Sequence, residues 1–214
     1  MTDPATVYAI SEIFGPTIQG EGPHAGWPAI FLRLAGCNAW DGLPEHRANS
    51  ICPFCDTDFQ SREQVDLEVL LTMIDALRQA HPGCGCVLTG GEPLLQADGP
   101  LLEALDERFA WLDIETNGSR PCPVHLPHTT IICSPKPLAG VPAVKPDYWK
   151  ILIPDHAVFL PMALADGSPI YLQPRWDDGP DGQAYQVHLD QCLELVRIHG
   201  CRLSLQLHKY LDLP

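Results

Sequence analysis

The sequence predicts an α/β fold, a trimmed and partly open parallel (β/α) barrel with about six core strands and three main helices. Strand-like segments and amphipathic helical segments alternate along the chain, which is the order found in parallel sheets. The helices are too few for a complete eight-unit barrel, and the stretch 131–173 is expected to connect its strands by loops alone. Polar residues follow one predicted strand after another, as at the active-site face of parallel barrels. A doubly wound sheet is the structural alternative.

The predicted strands are short apolar runs that end at turn residues. The first covers 7–14 and the second covers 29–34. The remaining strands are expected in "CVLTGGEP", "WLDIETNG", "TIICSPKP", "YWKILIP", "PIYLQPR" and "CRLSLQLHKYL".

Three helices are predicted from apolar residues that recur at helical spacing. The first carries Leu67, Leu70, Leu71, Ile74 and Leu77 on one face and stops before Gly83. The second contains Leu101, Leu102, Leu105 and Phe109. The third spans roughly 185–198, with Leu189, Cys192, Leu193 and Val196 on its apolar face.

Length and charge limit the classes of function. A chain of 214 residues is long enough for one domain with a sizeable core, and we expect a single domain over 1–214. With 13 Lys and Arg against 27 Asp and Glu, the net charge of −14 argues against a nucleic-acid partner. No secretory signal and no membrane-spanning run is apparent, so a cytoplasmic protein without a membrane partner is expected. Its nine cysteines, an odd number, fit thiols or metal ligands better than disulfides.

Three of these cysteines lie in one loop. Fourteen residues separate Cys37 from Cys52, and two separate Cys52 from Cys55. The short spacing places two sulfurs on one side of a turn, as in metal sites. The alternatives are a zinc site completed by Cys84, Cys86 or His46, a redox pair, or unrelated thiols. An iron–sulfur cube normally takes four cysteines, so three would leave one iron open to a ligand.

The segment "LTGGEP" follows a predicted strand. It is either a plain tight turn or a backbone that must come close to a ligand. Together with the three-cysteine loop it becomes a more specific signal.

These motifs carry a resemblance to a known family. The three cysteines, the "CDTDF" that includes the last of them, and "TGGEP" resemble the radical S-adenosylmethionine enzymes. More narrowly, "TIQGEGPHAGWPAIFLRLAGCN", "ETNGS", "CSPKP", "YLQP" and "LQLHKYLDLP" are similar to the 7-carboxy-7-deazaguanine synthase family, over nearly the whole chain. Most radical S-adenosylmethionine enzymes place three residues between the first two cysteines. The fourteen found here indicate an expanded cluster loop at 37–55.

The resemblance implies the cofactor sites. Cys37, Cys52 and Cys55 would hold a [4Fe–4S] cluster whose open iron binds S-adenosylmethionine. That cofactor's implied contacts are Phe54, Cys55, Asp56, Gly91, Glu92, Asn117, Ser134, Pro135, Lys136, Gln173, Pro174, Arg175 and Trp176. Thr57 would ligate Mg²⁺, although a lone Thr is more often a turn residue.

The resemblance also implies the substrate, 6-carboxy-5,6,7,8-tetrahydropterin. Its implied contacts are Ile18, Gln19, Gly20, Glu21, Arg33, Thr89, Gln206, His208 and Pro214. An ionised Glu21 accepts two parallel hydrogen bonds from an amino-pyrimidine edge, and the alternative is a solvated loop acid. Arg33 either faces a carboxylate in the barrel or pairs with an internal Glu. His208 is equally a ligand contact or a surface histidine, and the Pro214 carboxylate either folds into the site or frays.

The reaction implied is a radical ring contraction. The reduced cluster would cleave S-adenosylmethionine to a 5′-deoxyadenosyl radical that takes hydrogen from C6 of the pterin, and ammonia would leave to give 7-carboxy-7-deazaguanine for deazapurine pathways such as queuosine. No catalytic side chain is assigned, because the cluster and cofactor carry the chemistry. A homodimer and an electron donor such as a flavodoxin are also implied. The alternatives are a glycyl-radical activase and a non-enzymatic structural zinc module.

Overall fold

The computed structural model describes residues 6–138 and 142–214. The other residues of the predicted domain 1–214, including the first five of the N-terminal segment, lie outside the described residues. The described part forms nine strands: β1 (Val7–Ile18), β2 (Pro28–Leu34), β3 (Glu63–Asp66), β4 (Gly85–Gly90), β5 (Leu112–Thr116), β6 (Thr129–Cys133), β7 (Tyr148–Ile153), β8 (Ile170–Pro174) and β9 (Arg202–Leu203). It forms five α-helices: α1 (Leu67–Arg78), α2 (Gly99–Asp106), α3 (Leu160–Asp166), α4 (Gln183–His199) and α5 (Leu207–Leu211).

All nine strands belong to one sheet, in the order β3-β1-β2-β4-β5-β6-β7-β8-β9. From β2 to β9 each neighbouring pair is parallel, whereas β1 is antiparallel to both β2 and β3. Six of the parallel strands have five to seven residues, which confirms the predicted trimmed, partly open barrel with about six core strands. The short strands β3 and β9 stand at the two ends of the sheet.

The two faces of the sheet have different chemistry because side chains alternate along each strand. Ile30, Leu32 and Leu34 of β2 point into the main core, which they share with Leu70 and Ile74 of α1. The opposite face of the sheet carries a small apolar cluster of Ala29, Val87, Trp111 and Phe31. Toward the carboxyl ends of the strands, this inner face becomes polar, and the site described below lies there.

Local sequence explains where the helices begin. The Asp66 carboxylate accepts a hydrogen bond from Val69 N, and Asp98 accepts one from Leu101 N, so both side chains cap first turns. The three predicted helices correspond to α1, α2 and α4. The first ends at Arg78, five residues before Gly83, and Phe109 is buried just beyond the end of the second.

Two expectations about connections were wrong. The stretch 131–173 is not joined by loops alone, because α3 lies between β7 and β8. Its sequence supports a short helix, with Pro161 in the first turn, Leu160 and Ala163 buried, and Gly167 in the left-handed conformation at its end.

The last segment was also predicted wrongly. "CRLSLQLHKYL" is not one strand, because β9 covers only Arg202–Leu203 and α5 follows. Leu207 N donates a hydrogen bond to the Gly20 carbonyl oxygen at 3.0 Å, which directs the chain back across the barrel end. Strand β3 and the extension of β1 to Ile18 were not predicted.

Within the described residues, no helix has both the length and the apolar character that crossing a membrane requires.

Candidate active site

A cavity with about 1070 Å³ of empty space, including solvent at its mouth, opens where the parallel strands end. Its walls come from segments that follow β2, β4, β5, β6 and β8, as expected for the carboxyl ends of parallel strands. Most of the predicted cofactor residues border it: Cys37, Cys52, Phe54, Cys55, Asp56, Thr57, Gly91, Asn117, Ser134, Lys136, Gln173, Arg175 and Trp176. We call this space the cofactor cavity.

The three loop cysteines all border the cofactor cavity as free thiols. Burial raises the pKa of Cys37, and it raises the pKa of Cys52 to about 11 even though the Lys136 ammonium opposes the shift. Such thiols stay protonated at neutral pH unless a cation takes the place of the proton. The iron atoms of a cluster are such cations, so the donor set fits the implied group.

The thiols suit a cluster better than a single ion. Among the described side chains, no group of three or more His, Cys, Asp or Glu is arranged to hold one metal ion. In a cubane cluster each cysteine binds a separate iron, so the sulfurs need not converge on one point. Cys84 and Cys86, which the zinc alternative would recruit, are buried in the main core instead.

The expanded loop supports the last cysteine through Arg47. The Arg47 guanidinium donates hydrogen bonds to the carbonyl oxygens of Cys55 at 2.6 Å and Pro53 at 3.4 Å. It also lies 4.3 Å from the ring centroid of Trp40, whose edge packs against Phe59. The insert between the first two cysteines therefore braces the backbone of the Cys-x-x-Cys turn.

The two glycines of "TGGEP" allow close packing against the cluster loop. A Cβ at Gly91 would lie 2.4 Å from the Gly36 carbonyl oxygen and 2.5 Å from the Cys37 Cβ. Glu92 N donates to the same Gly36 oxygen at 3.0 Å. Gly91 is required because the loop that carries the first cysteine passes directly over it, and a Cβ at Gly90 would lie 2.3 Å from the Leu34 carbonyl oxygen at the end of β2, just before that loop.

The Glu92 carboxylate is fully buried and is already satisfied by the protein. It accepts hydrogen bonds from Leu94 N at 2.9 Å, the Thr116 hydroxyl at 2.8 Å and Asn117 N at 2.6 Å. Burial raises its pKa despite these donors. Its side chain thus ties the turn after β4 to the turn after β5 and does not border the cavity.

Positive groups also line the cofactor cavity, close to the cysteine loop. Lys136 Nζ donates to the Ser134 carbonyl and hydroxyl oxygens, both at 2.9 Å, and burial lowers its pKa. Arg175 lies 5.5 Å from the Phe54 ring centroid and pairs with Asp155 at 2.6 Å. These residues offer a cation for a carboxylate and an aromatic face for a flat ring.

A second cavity, with about 1000 Å³ of empty space, abuts the first. Among its lining residues are the predicted substrate contacts Gln19, Glu21, Arg33, Thr89, Gln206, His208 and Pro214. Six residues border both cavities: Asp56, Thr57, Thr89, Glu115, Gln206 and Lys209. We call this second space the substrate cavity, and Thr57 stands on the shared wall.

A buried ionic cluster forms the floor between the two cavities. Lys150 Nζ lies 2.5 Å from Glu21 Oε2 and 2.6 Å from Glu115 Oε2, and Gln206 donates to the other Glu21 oxygen at 2.8 Å. Burial alone would raise the pKa of Glu21, but Lys150 and Gln206 more than offset it and lower that pKa to about 2. Glu21 is therefore a partly buried, ionised acceptor, with 13% of its side chain exposed, and not a solvated loop acid.

Arg33 and His208 also border the substrate cavity. Arg33 Nε donates to Glu12 Oε1 at 2.6 Å, and both side chains border the substrate cavity. His208 Nδ1 would lie 2.1 Å from a Cβ at Gly20, so this glycine is what lets the histidine reach the cavity. Burial lowers the pKa of His208.

Some predicted contacts stand behind the cavity walls. Ile18, Gly20, Glu92, Pro135 and Pro174 border neither cavity. The sequence analysis also missed lining residues, above all Glu115, Lys150 and Lys209. Lys150 is the single charged residue of the apolar strand "YWKILI", and Glu115 is one of two acidic residues in "LDIET", which was the available signal. Lys209 pairs with Asp56 and lies 5.6 Å from the Trp176 ring centroid.

Known proteins resemble this chain over nearly its full length. No family model matches it. The 7-carboxy-7-deazaguanine synthase of Burkholderia multivorans is 39% identical, with 97% of this chain and 99% of that protein covered. Those of Bordetella pertussis and Caulobacter vibrioides are 39% and 38% identical over the same shares. The crystal structure of QueE from Escherichia coli matches with a TM-score of 0.66 and 29% identity, over 94% of this chain and 95% of that one.

Proposed function

We propose the following function on the premise that the chain belongs to the 7-carboxy-7-deazaguanine synthase family, a group of radical S-adenosylmethionine lyases. The enzyme converts 6-carboxy-5,6,7,8-tetrahydropterin to 7-carboxy-7-deazaguanine with loss of ammonia, a step of queuosine biosynthesis. The observation that carries the proposal is the pair of abutting cavities, one bordered by the three thiols and the other by Glu21. The family membership disfavours both a glycyl-radical activase and a zinc module.

The residues of the cofactor cavity would divide the binding work. Cys37, Cys52 and Cys55 would hold a [4Fe–4S] cluster, and Lys136 would face the carboxylate of S-adenosylmethionine. When bound, the cluster and S-adenosylmethionine supply the electron and the radical that start the ring contraction. The rings of Trp40 and Phe59, which border this cavity, would exclude water from it.

The substrate cavity offers groups that match a pterin. The ionised Glu21 would accept hydrogen bonds from the amino-pyrimidine edge. Arg33, which borders the same cavity, would face the substrate carboxylate once its guanidinium turns from Glu12. Since Thr57, Thr89 and Gln206 border both cavities, the substrate would lie within direct reach of the cofactor.

The proposal also includes a bound Mg²⁺ ion. Thr57 would bind the ion through its hydroxyl, with water and the substrate carboxylate as further oxygen ligands. Its position on the shared wall, between Asp56 and Asp58, supports this. We expect Mg²⁺ to lower the KM for the pterin, and Thr57→Ala to abolish that effect. An unchanged Mg²⁺ dependence in Thr57→Ala would remove Thr57 from the role.

The proposed oligomeric state and electron donor come from the resemblance to the synthase family. We propose a homodimer, tested by light scattering of the anaerobic enzyme, and a flavodoxin-type electron donor, tested by turnover with reduced flavodoxin in place of dithionite. Nine free thiols support a cytoplasmic location.

One experiment tests the proposed function. Purified, cluster-loaded enzyme is incubated without oxygen with dithionite, S-adenosylmethionine and the pterin. We expect 7-carboxy-7-deazaguanine and an equal amount of ammonia, formed only when both S-adenosylmethionine and the reductant are present. If the cofactor is cleaved in the presence of the pterin but no deazapurine appears, the substrate assignment is wrong, whereas protein without iron and sulfide would refute the cluster.

A further inference from the structure

We propose that Lys150 is a positioning residue for substrate recognition, which holds Glu21 in the substrate cavity as an ionised acceptor with Glu115 as its second anchor. This inference rests on the proposed function, because it assigns the charge state of a group that reads the pterin. Neither Lys150 nor Glu115 is among the predicted site residues.

The geometry of the three side chains carries the proposal. Lys150 lies on β7 with 7% of its side chain exposed, and its single ammonium bridges the two carboxylates at 2.5 and 2.6 Å. Glu21 comes from the segment after β1, and Glu115 from β5, two strands away from β7 in the sheet. Gln19 Nε2 also donates to Glu115 at 3.1 Å, which fixes the second anchor. The ionic cluster therefore joins three separate elements, the segment after β1, β5 and β7, between the two cavities.

Recognition of an amino-pyrimidine edge depends on the charge of Glu21. Only the anion offers two acceptor oxygens without a hydroxyl hydrogen in the way. A carboxyl group buried as deeply as Glu21 would otherwise favour the neutral form. Burial is the largest influence on its pKa, and the Lys150 ammonium is the largest opposing one. Lys150 thus acts through Glu21, whether or not it touches the substrate itself.

No other group around Glu21 replaces this ammonium. The charged, titratable or amide groups that face it or share its cavity are Glu115 of β5, Gln19, Gln206, His208 of α5, Lys209 of α5, Arg33 of β2, Glu12 of β1, Asp56, Asp58 and the α-carboxylate of Pro214. Gln206 is neutral, burial keeps His208 largely neutral by lowering its pKa, and Arg33 and Lys209 are paired with Glu12 and Asp56. Without Lys150, Glu21 would face the Glu115 carboxylate in a buried site, and its pKa would rise.

The test is a double-substitution cycle of Lys150→Met and Glu21→Gln, read out by pterin binding to the cluster-loaded enzyme at pH 6.0 to 8.5. We expect Lys150→Met to weaken binding at pH 6 by about 10–100-fold relative to wild type, because a charge-assisted acceptor is lost. The ratio of the two dissociation constants should fall as the pH rises, because Glu21 of the variant then ionises. Taking the ratio at each pH cancels the titration of the pterin itself.

The second half of the cycle separates this role from a purely structural one. In the Glu21→Gln background, Lys150→Met should weaken binding by less than about threefold, since the group it acts through is already neutral. Lys150→Arg should restore most of the binding. Iron content and the far-UV circular dichroism spectrum should match wild type in all variants, which checks the cluster loop and the fold.

The outcomes distinguish a failure of the positioning role of Lys150 from a failure of the proposed function. If wild type converts the pterin but Lys150→Met weakens binding equally at every pH, or equally in both backgrounds, the positioning role is refuted and the proposed function stands. If wild type neither binds nor converts the pterin, the proposed function fails and this inference fails with it.

Discussion

Replacement of Glu92 by Ala is expected to destabilise the protein itself, and not only cofactor binding. The Glu92 side chain is 0% exposed and connects the turn after β4 to the turn after β5. Removing it leaves the backbone N–H groups of Leu94 and Asn117 buried without an acceptor. The Thr116 hydroxyl also loses a partner at 2.8 Å.

The magnitude follows from the groups left unpaired. Each buried N–H without a partner costs about 1–3 kcal/mol, so the two backbone groups of Leu94 and Asn117 together cost about 4 kcal/mol. For a chain of this length, 1 kcal/mol of unfolding free energy corresponds to about 2–4 °C in Tm. The expected loss is therefore about 8–16 °C. Glu92→Gln keeps one carbonyl acceptor and should fall between Ala and wild type.

Thermal unfolding of the cluster-free protein, followed by circular dichroism without S-adenosylmethionine, measures this loss. Glu103→Ala is the matched control, because Glu103 is exposed on α2, and its Tm should lie within about 2 °C of wild type. If the Tm of Glu92→Ala also stays within about 2 °C, while binding of S-adenosylmethionine is lost, the side chain is a cofactor contact and the scaffold role is refuted.

Three further predictions concern the cluster loop. Cys52→Ser should abolish the bleachable iron–sulfur absorbance, whereas Cys192→Ser, a change in the core, should retain it; equal spectra would contradict the ligand set. Arg47→Met should speed iron loss to a chelator by about 3–10-fold, because the turn after the insert loses its hydrogen bonds; an unchanged rate would show that the insert does not brace the turn. Gly91→Ala should lower iron per chain, because a methyl group has no room beside the loop, while Gly83→Ala, where a Cβ meets nothing within 4 Å, should not; equal iron content in the two variants would refute the packing argument.

The parallel strands were predictable because their signals are local. "PAIFLRL" and "CVLTG" are apolar runs that end at glycine or turn residues, and both form strands at the expected places. The polar groups after them converge because parallel strands share one carboxyl edge, whatever the detailed register. Sequence alone therefore predicted that the cysteine loop and the turn that contains Gly91 lie at the same edge of the sheet.

The ionic cluster was not predictable in the same way. Glu21 and Lys150 are 129 residues apart, and only the folded sheet brings them to 2.5 Å. In sequence, Lys150 is one charge in an apolar strand, and such a residue can pair with any of 27 acidic residues. Spacing carries no information about which carboxylate faces it.

The side-chain direction of Glu92 was not predictable from sequence either, although its partners lie much closer to it along the chain. The motif placed Glu92 beside the cofactor, and its backbone indeed adjoins the cavity through Gly91. The direction of its side chain is decided by three donors, two of which lie at the end of the next strand, β5, and just after it. The C-terminal segment failed for a related reason, since a bond from Leu207 to Gly20 sets its path.

The central claim is that the two abutting cavities hold cofactor and substrate close enough for direct hydrogen transfer. Turnover of pterin carrying deuterium at C6, without oxygen, tests it through the mass of the 5′-deoxyadenosine formed. The account predicts that the 5′-deoxyadenosine recovered after turnover carries deuterium, because its 5′ carbon takes the C6 deuterium atom of the substrate directly. Unlabelled 5′-deoxyadenosine alongside full product formation would contradict it.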